Sequence, residues 1–401
     1  MADKPGAKNS GAEGVEYPTR FFARDFAGNR LEFTGNAVTH SWINVLLVFV
    51  PVGIAVKLVG LQPEIVFSMN AIAIIPLAGL LAHATEVVAA RVGDALGALL
   101  NVSFGNAVEL ILFIILLASN QIEVVQASLL GSILANLLLI LGMAFLLGGL
   151  KYQEQVYNNT VTQMSGVMLA LAVTSLLLPT AFHAAFEDNA IADHETLSVS
   201  RGTSVILLLV YGLYLLFQLK SHRYLYASTP QHIIDEDPAI FMLLISTGLV
   251  AVCADFMSGA IEPMVESSGI SQAFIGLIIL PIVGNAAEHV TAVTVAMKNK
   301  MDLSIGIAVG SSIQIAIFIT PVIVILGWMM GKEMTLYFNI FETVALFVTV
   351  LVVNFLVLDG RSNYLEGSLL IASYIIIALA SFFYPDGCDA SAIGGNEKHC
   401  T

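Results

Sequence analysis

Eleven apolar runs of membrane-crossing length fill this chain between residues 43 and 384. Lipid offers a backbone no hydrogen bonds, so runs of about 17–25 apolar residues are predicted to cross a bilayer as α-helices. The predicted spans are 43–60, 65–90, 98–118, 124–149, 163–183, 203–219, 240–262, 272–297, 303–327, 336–357 and 364–384. The expected fold class is therefore an all-α polytopic membrane protein. Charged residues make up 11% of the chain and hydrophobic ones 57%, against about 25% charged in ordinary soluble domains. Mean hydropathy is +0.85. The net charge of -14 argues against a nucleic-acid partner and suits the handling of cations. The expected partner is membrane lipid, and the sequence leaves the oligomeric state open.

Two of these runs carry the same pattern. Gly105-Asn106-Ala107-Val108-Glu109 returns 179 residues later as Gly284-Asn285-Ala286-Ala287-Glu288. The register holds without a gap. Asn120 falls on Asn299, Glu123 on Asp302, Gly131-Ser132 on Gly310-Ser311, and Gly148 on Gly327. A carboxylate at the centre of a membrane helix costs ~2.5–3.5 kcal/mol on insertion scales, so such residues persist chiefly where they have a function.

Orientation follows from Lys and Arg. With the N-terminus in the cytosol, twelve of the 16 basic residues lie on that side, leaving Lys57, Arg201, Lys332 and Lys398 opposite. Eleven spans then put the C-terminus in the lumen. The first forty residues contain no apolar signal-peptide core, so the first span is expected to direct membrane insertion. Five crossings separate the two motifs, an odd number, so the copies run in opposite directions. That is the plan of inverted-repeat transporters. The expected division is a cytosolic tail at 1–42, an extra helix at 43–60, and a first five-helix half at 61–219. A cytosolic linker at 220–239, a second five-helix half at 240–384 and a luminal tail at 385–401 complete it. Pro76 and Pro281 are expected to interrupt the second and eighth spans.

The motif suits a hard cation. Gly105 and Gly284 permit an irregular helix start that frees carbonyl oxygens. Asn106 and Glu109 are three apart and share a helix face, as do Asn285 and Glu288. Two carboxylates with amide and backbone oxygens are ligands for Ca²⁺, which takes ~6–8 oxygens. His289 is adjacent, but no Cys or His cluster favours a softer metal. Ca²⁺ requires ionised carboxylates and protons compete for the same oxygens, which is a sufficient basis for exchange. Ca²⁺ and H⁺ would then be transported ions, and no cofactor or catalytic residue is expected.

Around this pair the sequence offers a second tier. Ser132 and Ser311 match in the repeat, Gln314 lies three residues after Ser311, and Asn136 one turn after Ser132. Close packing and site lining are both open for the serines, whereas an unpaired amide in lipid favours site lining for Gln314 and Asn136. Glu86 beside His83, and Asp255 in an apolar segment, are candidates for a proton or cation pathway. The stretch with His183, Glu187, Asp188, Asp193, His194 and Glu195 reads as a solvated loop, and Asp235-Glu236-Asp237 as a solvated linker. Asn158-Asn159-Thr160 is a glycosylation sequon on the expected cytosolic side. Cys253 reads as a small core residue. The sequence leaves open whether Cys388 and Cys400 pair.

These stretches resemble the cation/proton exchanger (CAX) family of the calcium/cation antiporter superfamily, and look most like its fungal vacuolar members. The resemblance is carried by LLNVSFGNAVELI (Leu99 to Ile111), VQASLLGSILANLLLILG (Val125 to Gly142) and PIVGNAAEHVTAVTVAMKNKMDLSIGIAVGSSIQ (Pro281 to Gln314), within about 44–385. It implies an eleven-helix fold with two inverted repeats. It also implies export of Ca²⁺ from the cytosol into an acidic vacuole against protons. Glu109 and Glu288 would hold the cation, and Asn106, Asn285, Ser132, Ser311 and Gln314 would line its site. The chain departs from the family where Glu86 is followed by Val87 rather than a second acid, and where its linker is short and only mildly acidic. Mn²⁺ or a monovalent cation as cargo, and a passive cation channel, are the competing readings. An intramembrane protease would need paired aspartates, and no phosphate loop supports ATP-driven pumping.

Overall fold

The computed structural model describes residues 42–89, 97, 100, 104–186, 189–221 and 237–384. In chain order its helices are α1 (Ile43–Val59), α2 (Pro63–Ala89), α3 (Ala107–Ala118) and α4 (Ile122–Tyr152). They continue with α5 (Asn159–His183), α6 (Asn189–Leu216), α7 (Asp237–Ser268), α8 (Gln272–Gly284) and α9 (Ala286–Ala296). The last three are α10 (Met301–Met329), α11 (Ile340–Asp359) and α12 (Tyr364–Phe382). Among the described residues, eight helices are long and apolar enough to cross a membrane, or nine if the bent pair α8–α9 is one span. Two further apolar helices, α1 and α3, are shorter than that.

Burial identifies the pillars of the bundle. Of the most apolar window of each helix, 72% is buried in α4 and 67% in α10, against 22% in α6 and α12. The two pillars are the register-matched helices of the repeat. Small residues let α8 close on α4. A Cβ on Gly131 would stand 2.3 Å from the Leu277 carbonyl oxygen, and one on Gly276 would stand 2.7 Å from the Ala127 Cβ. The register extends to the backbone. Asn120 and Asn299 both adopt left-handed conformations, with φ of 62° and 58°. The helices before them begin at Ala107 and Ala286, and those after them at Ile122 and Met301.

Several sequence expectations are corrected. The eighth span is not one helix interrupted at Pro281. It bends by 58° between α8 and α9, at Asn285. A π-helical stretch, Ile275–Ile279, ends in a bond from the Leu280 N–H to the Ile275 carbonyl, and Pro281 follows in the first turn after it. The wider turn accommodates the proline, so the break falls at the motif instead. Ile315–Ile319 precedes Pro321 in α10 in the same way. Pro76 lies inside an unbroken α2.

The sixth span was expected from residue 203, but α6 begins at Asn189. Ala192, Thr196, Ser200 and Ser204 recur every four residues and are fully buried. This small-residue face packs a helix that hydropathy alone does not register. Asp193, His194 and Glu195 are therefore helical and not a loop, while Glu187 and Asp188 lie outside the described residues. The seventh helix starts at Asp237, and Asp235, Glu236, Cys388 and Cys400 fall outside the described residues. The helix carrying Glu109 begins at Ala107, with residues 98–103 largely outside the described set.

The fold also departs from all-α. Strands β1 (Glu154–Val156) and β2 (Arg361–Asn363) pair antiparallel, with Gln155 opposite Ser362. Arg361 Nη1 reaches Glu154 Oε1 at 3.2 Å across them.

Candidate cation site

Each copy of the motif sits where a helix starts again inside the bundle. Asn106 caps α3 and Asn285 caps α9, and neither side chain bonds its own helix. Their amides are thus available to other groups. The glutamate follows as the third helical residue, in the first turn, where free N–H groups favour negative charge. Glu109 is 1% exposed and Glu288 is half-buried. Both line one narrow cleft, walled by Ala78, Leu81 and Ala82 of α2 and by Gly105 and Gly284. Gly284 stands close to Glu109: a Cβ there would lie 3.1 Å from the Glu109 Cγ, tighter than ordinary van der Waals contact.

Four of the expected site residues form one hydrogen-bonded chain. Asn136 Nδ2 donates to Ser311 Oγ at 3.1 Å, and Ser311 Oγ donates to Asn106 Oδ1 at 2.7 Å. Asn106 Nδ2 then donates to Gln314 Oε1 at 2.9 Å. The chain passes from α4 to α10, to the cap of α3 and back to α10. Its register mates are not tied in this way. Asn285 is fully buried, and neither its Oδ1 nor its Nδ2 has a hydrogen-bond partner among the described residues. Ser132 Oγ, Asn136 Oδ1, Glu109 Oε1 and Glu288 Oε2 share that condition.

A buried polar atom without a partner costs ~1–3 kcal/mol. Five such oxygens, contributed by α3, α4 and α9, are of the chemical type that a hard cation takes. Among the described residues no group of three or more His, Cys, Asp or Glu side chains can hold a metal. A cation held by this pair would therefore draw its remaining oxygens from amides, hydroxyls and backbone carbonyls.

The pathway candidates are placed differently. His289 Nδ1 lies 2.7 Å from the Asn285 carbonyl oxygen, one turn back, and its buried Nε2 has no partner among the described residues. Glu86 is exposed, one turn beyond Ala82 of the cleft, and His83 is half-buried beside it. Asp255 is exposed on α7, whose packed face is Cys253, Ala254, Met257 and Ser258. The structure does not bring Asp255 to the cleft. Among the described residues of the acidic patch after α5, His183 Nε2 pairs with Asp193 Oδ1 at 2.8 Å and His194 Nδ1 with Glu195 Oε1 at 3.7 Å, and the His183 ring stacks on Tyr337. Sequence reasoning missed the buried Glu342, and the contacts at the far ends of α3 and α9.

Residues 64–220 and 238–383 match the sodium/calcium exchanger protein family. The chain belongs to that family. Within this exchanger family it is 46% identical to the vacuolar calcium ion transporter of Schizosaccharomyces pombe, over 89% of this chain and 88% of that protein. It is 45% identical to the Ca²⁺/H⁺ antiporter of Aphanothece halophytica, over 85% of this chain and 96% of that one. The solved structure of native YfkE superposes with a TM-score of 0.75 at 35% identity, covering 86% of this chain and 100% of that one. The polytopic helical fold is thus the exchanger fold.

Proposed function

We propose that this chain is a secondary active antiporter that moves Ca²⁺ out of the cytosol in exchange for H⁺, in a vacuolar membrane. The observation that carries the reading is the register-matched pair Glu109 and Glu288 lining one cleft beside buried oxygens that lack protein partners. The names of the relatives support the ions and the compartment. The recurrence of helix starts and of left-handed Asn120 and Asn299 at one spacing supports two halves, 61–219 and 240–384, related as inverted repeats. In this reading α1 is the extra span, α3 is a short span and α8–α9 is one broken span. Eleven crossings follow, with the N-terminus cytosolic and the C-terminus luminal.

In the mechanism, Ca²⁺ enters the cleft from the cytosolic side and is held by Glu109, Glu288 and Asn285, with Ser132 and Asn136 completing the shell. The bound ion displaces protons from the carboxyls. Either occupied form is charge-compensated, whereas the empty, doubly ionised pair is costly in a low-dielectric site. The carrier therefore switches sides when loaded with Ca²⁺ or with protons. On the acidic side, protons reclaim the oxygens and Ca²⁺ leaves. Asn106 is held by Ser311 and Gln314 and sets the position of α3.

The test is ⁴⁵Ca²⁺ uptake into proteoliposomes with an acid interior. Uptake is expected to need the pH gradient, to vanish with a protonophore, and to fall at least 100-fold in Glu109→Gln and Glu288→Gln with thermal stability retained. Gradient-independent uptake, or near wild-type exchange in either variant, would overturn the reading.

A further inference from the structure

The helices that carry the two glutamates are short, and each ends against side chains from the other half of the chain. Lys332, from the segment between α10 and α11, places Nζ 3.0 Å from Asn120 Oδ1 and 3.5 Å from the Ala118 carbonyl oxygen at the end of α3. At the end of α9, Lys151 Nζ donates to the Met297 carbonyl at 2.7 Å and the Tyr152 hydroxyl donates to the same oxygen at 3.0 Å. Gln155 Nε2 donates to the Ala296 carbonyl and to Asn299 Oδ1, each at 2.9 Å.

The acceptors are register-matched. Ala118 corresponds to Met297, and Asn120 to Asn299, at the same 179-residue spacing as the glutamates. The donors are not, because Lys332 falls on Gln153 and Lys151 on Met330. Inheritance from a duplicated half therefore explains the acceptors but not the lysines. The last carbonyls of a helix lack intrahelical partners and attract cations, so a lysine is a fitting donor at both ends.

We propose that Lys332 and Lys151 are reciprocal positioning residues, each latching the end of the glutamate helix that belongs to the opposite half. The proposal rests on the inverted-repeat, alternating-access reading given above. Under that reading the two latches lie at opposite faces of the membrane. Glu109 is nine residues before Ala118 and Glu288 nine before Met297. At 1.5 Å per residue each latch is ~14 Å along a rigid helix from its carboxylate. For the cleft to open toward one face, the end of a glutamate helix there must separate from the opposite half. The latch at that face must break, while the other holds.

The latches are unequal. The Lys151 end has three donating side chains on two carbonyls, and the Lys332 end has one lysine at longer distances. Neither lysine touches the cleft, so both act through helix position and not on the ion.

The experiment uses the full chain in oriented proteoliposomes, with Ca²⁺ as the probe, and compares Lys332→Met, Lys151→Met and the corresponding Arg variants. Loss of one latch is expected to shift the balance between the two facing states. Lys332→Met should change the Ca²⁺ KM at the two faces in opposite directions, by about fivefold or ~1 kcal/mol. Lys151→Met should do the reverse, and each Arg variant should restore the wild-type ratio. Amide hydrogen exchange, which needs no transport, should rise within 115–121 in Lys332→Met and within 293–300 in Lys151→Met. Unchanged exchange in those segments, or kcat losses with the KM ratio unmoved, would overturn the latch. Wild-type protein without proton-driven uptake would instead overturn the antiport reading, and the exchange measurement would still decide the latch.

Discussion

Ser311 donates its hydroxyl to Asn106 Oδ1 at 2.7 Å, joining two residues 205 apart in the chain. The side chain of its register mate Ser132 has no hydrogen-bond partner among the described residues, and neither has that of Asn285, the mate of Asn106. Two halves built on one pattern have thus divided the labour. One Asn–Ser pair is tied into the scaffold; the other has side chains without protein partners and holds the ion in the proposed mechanism.

That division separates two serines the sequence treats alike. Ser311→Ala strands the Asn106 amide oxygen and is expected to cost about 1–2 kcal/mol of stability together with exchange activity. Ser132→Ala removes an atom with no protein partner. It should leave the melting temperature within a degree or two and raise the KM for Ca²⁺ severalfold. Thermal unfolding in detergent with ⁴⁵Ca²⁺ uptake checks both. Equal destabilisation by the two substitutions would contradict the asymmetry.

Gly284 shapes the site rather than the fold. A methyl group there meets Glu109 Cγ at 3.1 Å and pushes the carboxyl out of line with Glu288. Gly284→Ala is expected to reduce exchange at least tenfold with little loss of stability. Gly310→Ala is the control on the paired helix, since nothing lies within 4 Å of a Cβ there. Comparable activity in the two variants would remove the steric argument.

Much of this site was legible beforehand because the chemistry is written in residue types at fixed spacing. Glu109, Glu288, Asn106 and Ser311 stand out from the repeat, Gln314 and Asn136 as amides beside the matched serines, and the structure joins Asn106, Ser311, Gln314 and Asn136 in one hydrogen-bonded chain. Hydropathy located the eight long apolar helices but misjudged where some of them begin. It registers the oiliness of a face and not its smallness, so the Ala192, Thr196, Ser200, Ser204 face of α6 went unread. It also takes no account of the π-helical turns that precede Pro281 and Pro321, which a sequence window does not see. Asp255, a pathway candidate, is exposed on α7 and does not line the cleft. An acid in an apolar run is a reason to look for function, but only the helix face decides whether it reaches the cleft. The ties from Lys151 and Lys332 were invisible because their donors do not repeat, although their acceptors do.

Gly131 tests the scaffold itself. Its Cβ would fall 2.3 Å from the Leu277 carbonyl oxygen and 2.7 Å from Pro281 Cγ, so the contact is with backbone and a rigid ring. Neither can yield cheaply. Gly131→Ala is expected to destabilise the protein by about 1–3 kcal/mol and to lower transport by displacing α8 and with it the Asn285 break. A melting curve unaffected by this change would mean that α4 and α8 do not pack as closely as described.

Competition between Ca²⁺ and protons for the same oxygens fixes the sign of the pH dependence. Metal binding to carboxylates releases whatever protons they held. Acidifying the side from which Ca²⁺ enters should therefore raise its apparent KM, while acidifying the opposite side should speed uptake by reloading the pair with protons. Over the range in which both carboxyls exchange protons, log KM plotted against pH on the entry side should have a slope approaching about −2, one unit for each proton displaced. Glu288→Gln leaves a single titrating carboxyl, so any residual Ca²⁺ binding in that variant should show a slope no steeper than about −1. Equilibrium ⁴⁵Ca²⁺ binding in detergent at graded pH measures this without requiring turnover. A pH-independent affinity would break the link between the two ions at this site, even if the protein moved both.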